Sequence, residues 1–145
     1  MNDAMTFPSL EDNPARVHDW LDLMENVFEC ARPGVDLVAV LQQVMRLALG
    51  HGDAEVRTSA YLVLSKGLVN HPAASISLRP VAERLPDLAG KELLWALNAV
   101  GMSGDATLEA HLTPLLTHED RYVRAEAYTA LLALGLSPPT THLRG

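Results

Sequence analysis

Asp53, Val56, Arg57, Ala60 and Tyr61 return as Asp120, Val123, Arg124, Ala127 and Tyr128, in the same register 67 positions later. Half of that interval is a unit of 33 to 34 residues, and a degenerate middle copy falls in step at Asp87, with Lys91, Leu94 and Trp95 at the Arg, Ala and Tyr positions. Gly67 and Gly101 stand 34 apart, as do Pro80 and Pro114. A period of this length restricts the chain to repeated supersecondary units that bury their apolar faces on their neighbours.

Each unit reads as a helix pair. After Asp53, the residues Val56, Ala60, Val63, Leu64 and Leu68 recur at helical spacing, and Asn70, His71 and Pro72 mark a turn. A second helix is expected from about Ala73 to Leu85, then a pair at about Leu88 to Met102 and Ala106 to Leu116, and a single last helix from about Arg121 to Gly135. Two further helices precede the repeats, from about Pro14 to Ala31 and from Val35 to Leu49, separated by Arg32, Pro33 and Gly34. The expected fold is therefore all-α: a short superhelix of about seven helices, three and a half pairs. Residues 14–136 form one domain in this reading, between an N-terminal arm (1–13) and a C-terminal tail (137–145).

The repeated letters have physical roles. Asp53 and Asp120 stand where a carboxylate caps the free N–H groups of a helix start, an arrangement worth about 1 kcal/mol. Val56, Ala60, Val123 and Ala127 lie on the inward stripe, where a small Ala admits a neighbouring helix. Tyr61, Trp95 and Tyr128 share one repeat position and are expected to form a line of core or groove aromatics. Pro80 and Pro114, read as interior to their helices, are expected to kink them and so curve the array.

Asp-x-x-Val-Arg-x-x-Ala-Tyr followed by an apolar helix end resembles the first helix of HEAT repeats, especially the short HEAT-like class related to phycobilisome lyases. The resemblance covers about residues 51 to 135, with two good copies and one weak one; the first two helices lack the signature. It implies a scaffold whose concave face, lined by the second helix of each pair, receives a partner protein. It also implies a structural role for Arg57 and Arg124, in a ladder with Asp residues of adjacent repeats.

Charge sharpens the choice of partner. Of the net −7, residues 1–36 hold eight acids against two arginines, so nearly all the excess lies in the first quarter. Nucleic-acid binding needs Lys and Arg to neutralise phosphates, which argues against it here. No apolar run reaches the roughly 18 residues of a membrane span. The opening residues have no apolar segment of the kind a signal peptide carries, and the single cysteine, Cys30, fits a reducing compartment, so a cytoplasmic protein is expected.

No catalytic, metal or cofactor site is expected. The six histidines show neither His-x-x-x-His spacing nor Cys-His clustering. His51, His71 and His118 fall at turns after helices, where the helix dipole explains them. Cys30 has no activating neighbour in sequence and reads as buried or idle. The glycines are turn glycines and form no phosphate-binding loop.

Two surfaces remain. The first helix carries Val17, Trp20, Leu21, Met24, Val27 and Phe28 on one side and Asp19, Asp22, Glu25, Asn26 and Glu29 on the other, an acidic ridge suited to steering a basic partner. The second helices supply Gln42, Gln43 and Arg46, then Ser75, Arg79 and Glu83, then Glu109, His111 and Thr113, for a groove placed by the family geometry. A C-terminal helix with Val123, Ala127, Leu131, Leu132 and Leu134 has no partner helix after it, so the tail is expected to cover it, or alternatively a homodimer or partner contact.

The expected function is a protein-interaction module, specifically an immunity or inhibitor protein that neutralises a basic toxin or enzyme by tight binding. The alternatives are an adaptor or scaffold subunit and a bilin-lyase-like chaperone; a DNA glycosylase-like enzyme would need a basic face that this chain lacks.

Overall fold

Apolar residues three and four apart wind residues 14–30 into a helix with a fully buried stripe, Val17, Trp20, Leu21, Met24, Val27 and Phe28. Asn13 caps it through Oδ1 on the N–H of Arg16, and Pro14 occupies the first turn, where its missing N–H costs nothing. In the computed structural model, which describes residues 7–30, 34–71 and 76–138, this helix is α1 (Pro14–Cys30). It is followed by α2 (Leu37–Gly50), α3 (Ala54–Asn70), α4 (Arg79–Arg84), α5 (Gly90–Met102), α6 (Glu109–Leu112) and α7 (Arg121–Ala133). The protein is all-helical, with seven α-helices and no strand among the described residues. None of these helices is long and apolar enough to cross a membrane.

The chain forms two compact units, residues 1–76 and 77–145. In the first, α3 packs against both α1 and α2, which scarcely touch one another. Gly67 makes this possible: a Cβ there would lie 2.6 Å from Leu41 Cδ2 and 2.8 Å from Phe28 Cε2, so only a bare backbone admits both neighbours. Residues 7–13, part of the N-terminal arm, are fastened to the same unit. Phe7 meets Trp20 edge-on at 5.4 Å, the Pro8 carbonyl accepts from Gln43 Nε2 at 2.6 Å, and the Asp12 carbonyl accepts from His51 Nε2 at 2.9 Å.

In the second unit α5 and α7 are the main partners. They run in the same direction, since Asn98 meets Glu126 and, one turn on, Gly101 meets Ala130. A Cβ on Gly101 would stand 3.0 Å from the Ala130 Cα, so the glycine one repeat after Gly67 again marks a close approach. The apolar stripe of α7 is covered within this unit: Val123, Ala127, Leu131 and Leu134 are buried, and only Leu132 is exposed. Gly135, at φ +83°, ends α7 with the bonds Gly135 N–H to Leu132 O and Leu136 N–H to Leu131 O. Of the expected covering tail, residues 139–145 lie outside the described residues.

The first helices of the repeats match expectation, and so does the second helix expected from Ala106 to Leu116, since residues 106–117 are helical throughout; the helix expected from Ala73 to Leu85 does not. No regular helix runs from Ala73 to Leu85: residues 72–75 lie outside the described part, 76–78 are not helical, and α4 starts at Arg79. Pro80 sits in the first turn of α4, so it starts a helix instead of kinking one, because it has no N–H to donate backwards but needs none at that position. Pro114, at the matching position of the next copy, instead lies inside a helical stretch that runs from Ala106 to Thr117. The winding there passes from 3₁₀ (Ala106–Leu108) to α (α6) and back to 3₁₀ (Thr113–Thr117), so the expected helix 106–116 is present with tightened ends. Asp87 does not cap the middle copy. It lies in the 3₁₀ turn Leu85–Asp87, and α5 begins after Ala89 without a side-chain cap.

Candidate functional site

The repeated motif builds one turn twice. Asp53 Oδ1 accepts from the N–H groups of Glu55 (2.9 Å) and Val56 (3.1 Å), and Asp120 Oδ1 accepts from Tyr122 N–H (2.8 Å). Arg57 Nη1 reaches back to the His51 carbonyl at 2.8 Å, and Arg124 Nη1 reaches back to the His118 carbonyl at 2.7 Å. The histidines belong to the device as well. His51 Nδ1 accepts from Asp53 N–H and His118 Nδ1 accepts from Asp120 N–H, each at 3.0 Å. These rings therefore serve as backbone acceptors, which the helix-dipole reading of both residues missed. Extending the repeat two positions upstream, to His-x-Asp-x-x-Val-Arg-x-x-Ala-Tyr, contains the signal. His71 is also tied, with Nε2 2.8 Å from the Phe28 carbonyl, a group in the last turn of α1 that the helix itself leaves open. Each of these contacts secures a turn or a helix end.

The acidic ridge of α1 is present but divided. Asp19 and Asp22 are exposed and make no ion pair among the described residues. Glu25 and Glu29 instead face Lys66 of α3, whose Nζ lies 3.3 Å from Glu25 Oε1 and 3.8 Å from Glu29 Oε1. Such part-exposed pairs are worth up to about 1 kcal/mol and partly cancel the charge they carry. At the foot of α1, Asp12 has its carboxyl held below the ordinary range by the backbone N–H of Ser9 and, less strongly, by Arg16. Cys30, at the other end, is exposed and not buried, with Sγ 3.8 Å from Asn26 Oδ1.

The residues expected to line a groove fall in both units. On α2, Gln42 and Arg46 are exposed and, with Leu10, Met45, Leu49 and Gly50, border an open depression of about 560 Å³. Gln43 is buried, bridging the Pro8 carbonyl and the Arg46 guanidinium, so it holds the N-terminal segment instead of facing a partner. On the second unit Arg79 and Glu83 are exposed on the short α4. Arg79 contributes to holding the Asp105 carboxyl below its ordinary range, after the larger effect of hydrogen bonds from Thr107. Ser75 lies outside the described residues.

Sequence periodicity overlooked another surface. Between α5 and α7 is a groove of about 410 Å³ lined by Leu94, Trp95, Asn98, Tyr122, Ala125 and Glu126. Trp95 is half-buried, whereas Tyr122 is 61% exposed with the Arg121 guanidinium 5.1 Å from its ring centre. The expected aromatic line therefore separates by environment: Tyr61 is fully buried core, and Trp95 borders a groove. Tyr122 occupies a variable position of the repeat, where the other good copy has Glu55, so repetition alone does not flag it. Among the described residues no group of three or more His, Cys, Asp or Glu is placed to hold a metal ion.

Compared with known proteins, the chain matches no family model, and no curated protein or solved structure is similar to it.

Proposed function

We propose that this chain is a cytoplasmic HEAT-like protein-binding module that captures a basic partner through the acidic ridge of α1, acting by occupancy, as an immunity or inhibitor protein does, and not by catalysis. The observation that carries this reading is the exposed pair Asp19 and Asp22, one turn apart on α1, with no described cation against them. Charges left unneutralised on a rigid helix raise the rate of encounter with a cationic surface and disfavour anionic ones. The HEAT-like part of the proposal is supported by the turn that His51, Asp53 and Arg57 build and that His118, Asp120 and Arg124 build again. An adaptor subunit would use the same ridge in the same way.

The test is an Asp19→Lys/Asp22→Lys double variant. Reversing Glu25 or Glu29 would also repel Lys66 and confuse binding with folding, whereas Asp19 and Asp22 are exposed and make no ion pair among the described residues. Native lysate passed over the tagged protein should yield a stoichiometric basic protein, and its association rate with the variant should fall on the order of tenfold at low salt. A partner bound equally well by the variant would remove the ridge from the proposal, and the absence of any stoichiometric partner would end the binding reading.

A further inference from the structure

We infer that the groove between α5 and α7 receives the cationic side chain, arginine or lysine, of a partner protein. Glu126 is the one charged residue among those lining the groove, and a single described bond, from Asn98 Nδ2 to Oε1 at 3.1 Å, uses only part of its capacity. A carboxylate offers about four acceptor sites, enough to take a guanidinium or ammonium beside the amide. Trp95 and Tyr122 border the same space, and the faces of such rings attract cations. Arg121 already demonstrates that preference on Tyr122, at 5.1 Å from the ring centre. Tyr122 is 61% exposed, so packing gives no reason for an aromatic there, while Trp, Tyr and Arg together are the residues that dominate protein interfaces. The volume, about 410 Å³, lies in the range of sites that enclose a small group. Charge complementarity thus selects the occupant: an acid and two aromatic side chains suit a cation, and leave an anion facing Glu126.

Arg121 makes the inference easy to break, because it competes with a cationic guest and would assist an anionic one. The full-length protein is titrated with the peptide acetyl-Gly-Leu-Arg-Leu-Gly-amide, following Trp95 emission, with citrulline and glutamate analogues at the central position and a Trp95→Phe variant to assign the signal. The arginine peptide should change the emission and the two analogues should not. Glu126→Gln should weaken the arginine peptide roughly tenfold, and Arg121→Ala should strengthen it, both with unchanged circular dichroism. Preference for the glutamate peptide, weakening by Arg121→Ala, or no response to any of the peptides would overturn the inference. It does not rest on the α1 ridge: Asp19→Lys/Asp22→Lys should bind the peptide as the wild type does, so either proposal can fail alone.

Discussion

The turns at His51 and His118 use the same residue types for the same kinds of bond, yet they occupy different surroundings. His51 is 5% exposed and its second ring nitrogen reaches the Asp12 carbonyl, so one imidazole ties the turn before α3 to the N-terminal segment. The ring has to be in its Nε2–H form there, because Nδ1 already accepts from Asp53. His118 is half-buried and bonds only through Nδ1 among the described residues. The motif therefore specifies a turn, and the neighbours decide how much that turn matters to the fold.

The largest predicted contrast follows directly. His51→Ala should destabilise the protein by about 2–3 kcal/mol, since it removes a buried ring and leaves the part-buried Asp12 carbonyl and Asp53 N–H without that partner, and His118→Ala by less than about 1 kcal/mol. Chemical denaturation of the two variants measures both, and equal losses would show that the link to Asp12 contributes nothing. Next come the repeat-related glycines. Gly67→Ala and Gly101→Ala should each cost about 1–3 kcal/mol by overpacking, with Gly67→Ala rescued in part by Leu41→Ala, because side chains block the new methyl there. Gly101→Ala meets the Ala130 backbone and should have no comparable rescue at Ala130→Gly beyond the removed methyl. The smallest contrast lies in the caps: Asp53→Ala, which loses two backbone bonds, should cost about 1–2 kcal/mol and Asp120→Ala, which loses one, about 0.5–1 kcal/mol.

What the sequence showed plainly was whatever depends on local chemistry. The buried stripe of α1, the caps at Asp53 and Asp120 and the inward Val56, Ala60, Val123 and Ala127 all follow from spacing and residue type. The helix expected from Ala73 was started too early because a proline has opposite effects in a helix interior and in its first turn, and periodicity alone did not place the helix start beside Pro80. The site residues were legible as charges but not as pairs. Nothing in the spacing of Glu25 and Glu29 reveals that Lys66, on another helix, shares them. The groove beside Trp95 escaped for the same reason, since it exists only where α5 and α7 lie side by side.

The segment that holds Phe7, Pro8 and Asp12 to the first unit is gripped in an unusual currency. Gln43 and His51 bond to main-chain carbonyls, which every residue presents alike, so the grip reads the path of the chain and is indifferent to most of its letters. Pro8 and Asp12 are free to be exchanged in descent without releasing those two bonds, while Gln43 and His51 are not. Divergence in this protein should therefore erase the written identity of residues 8–12 well before it alters where they lie.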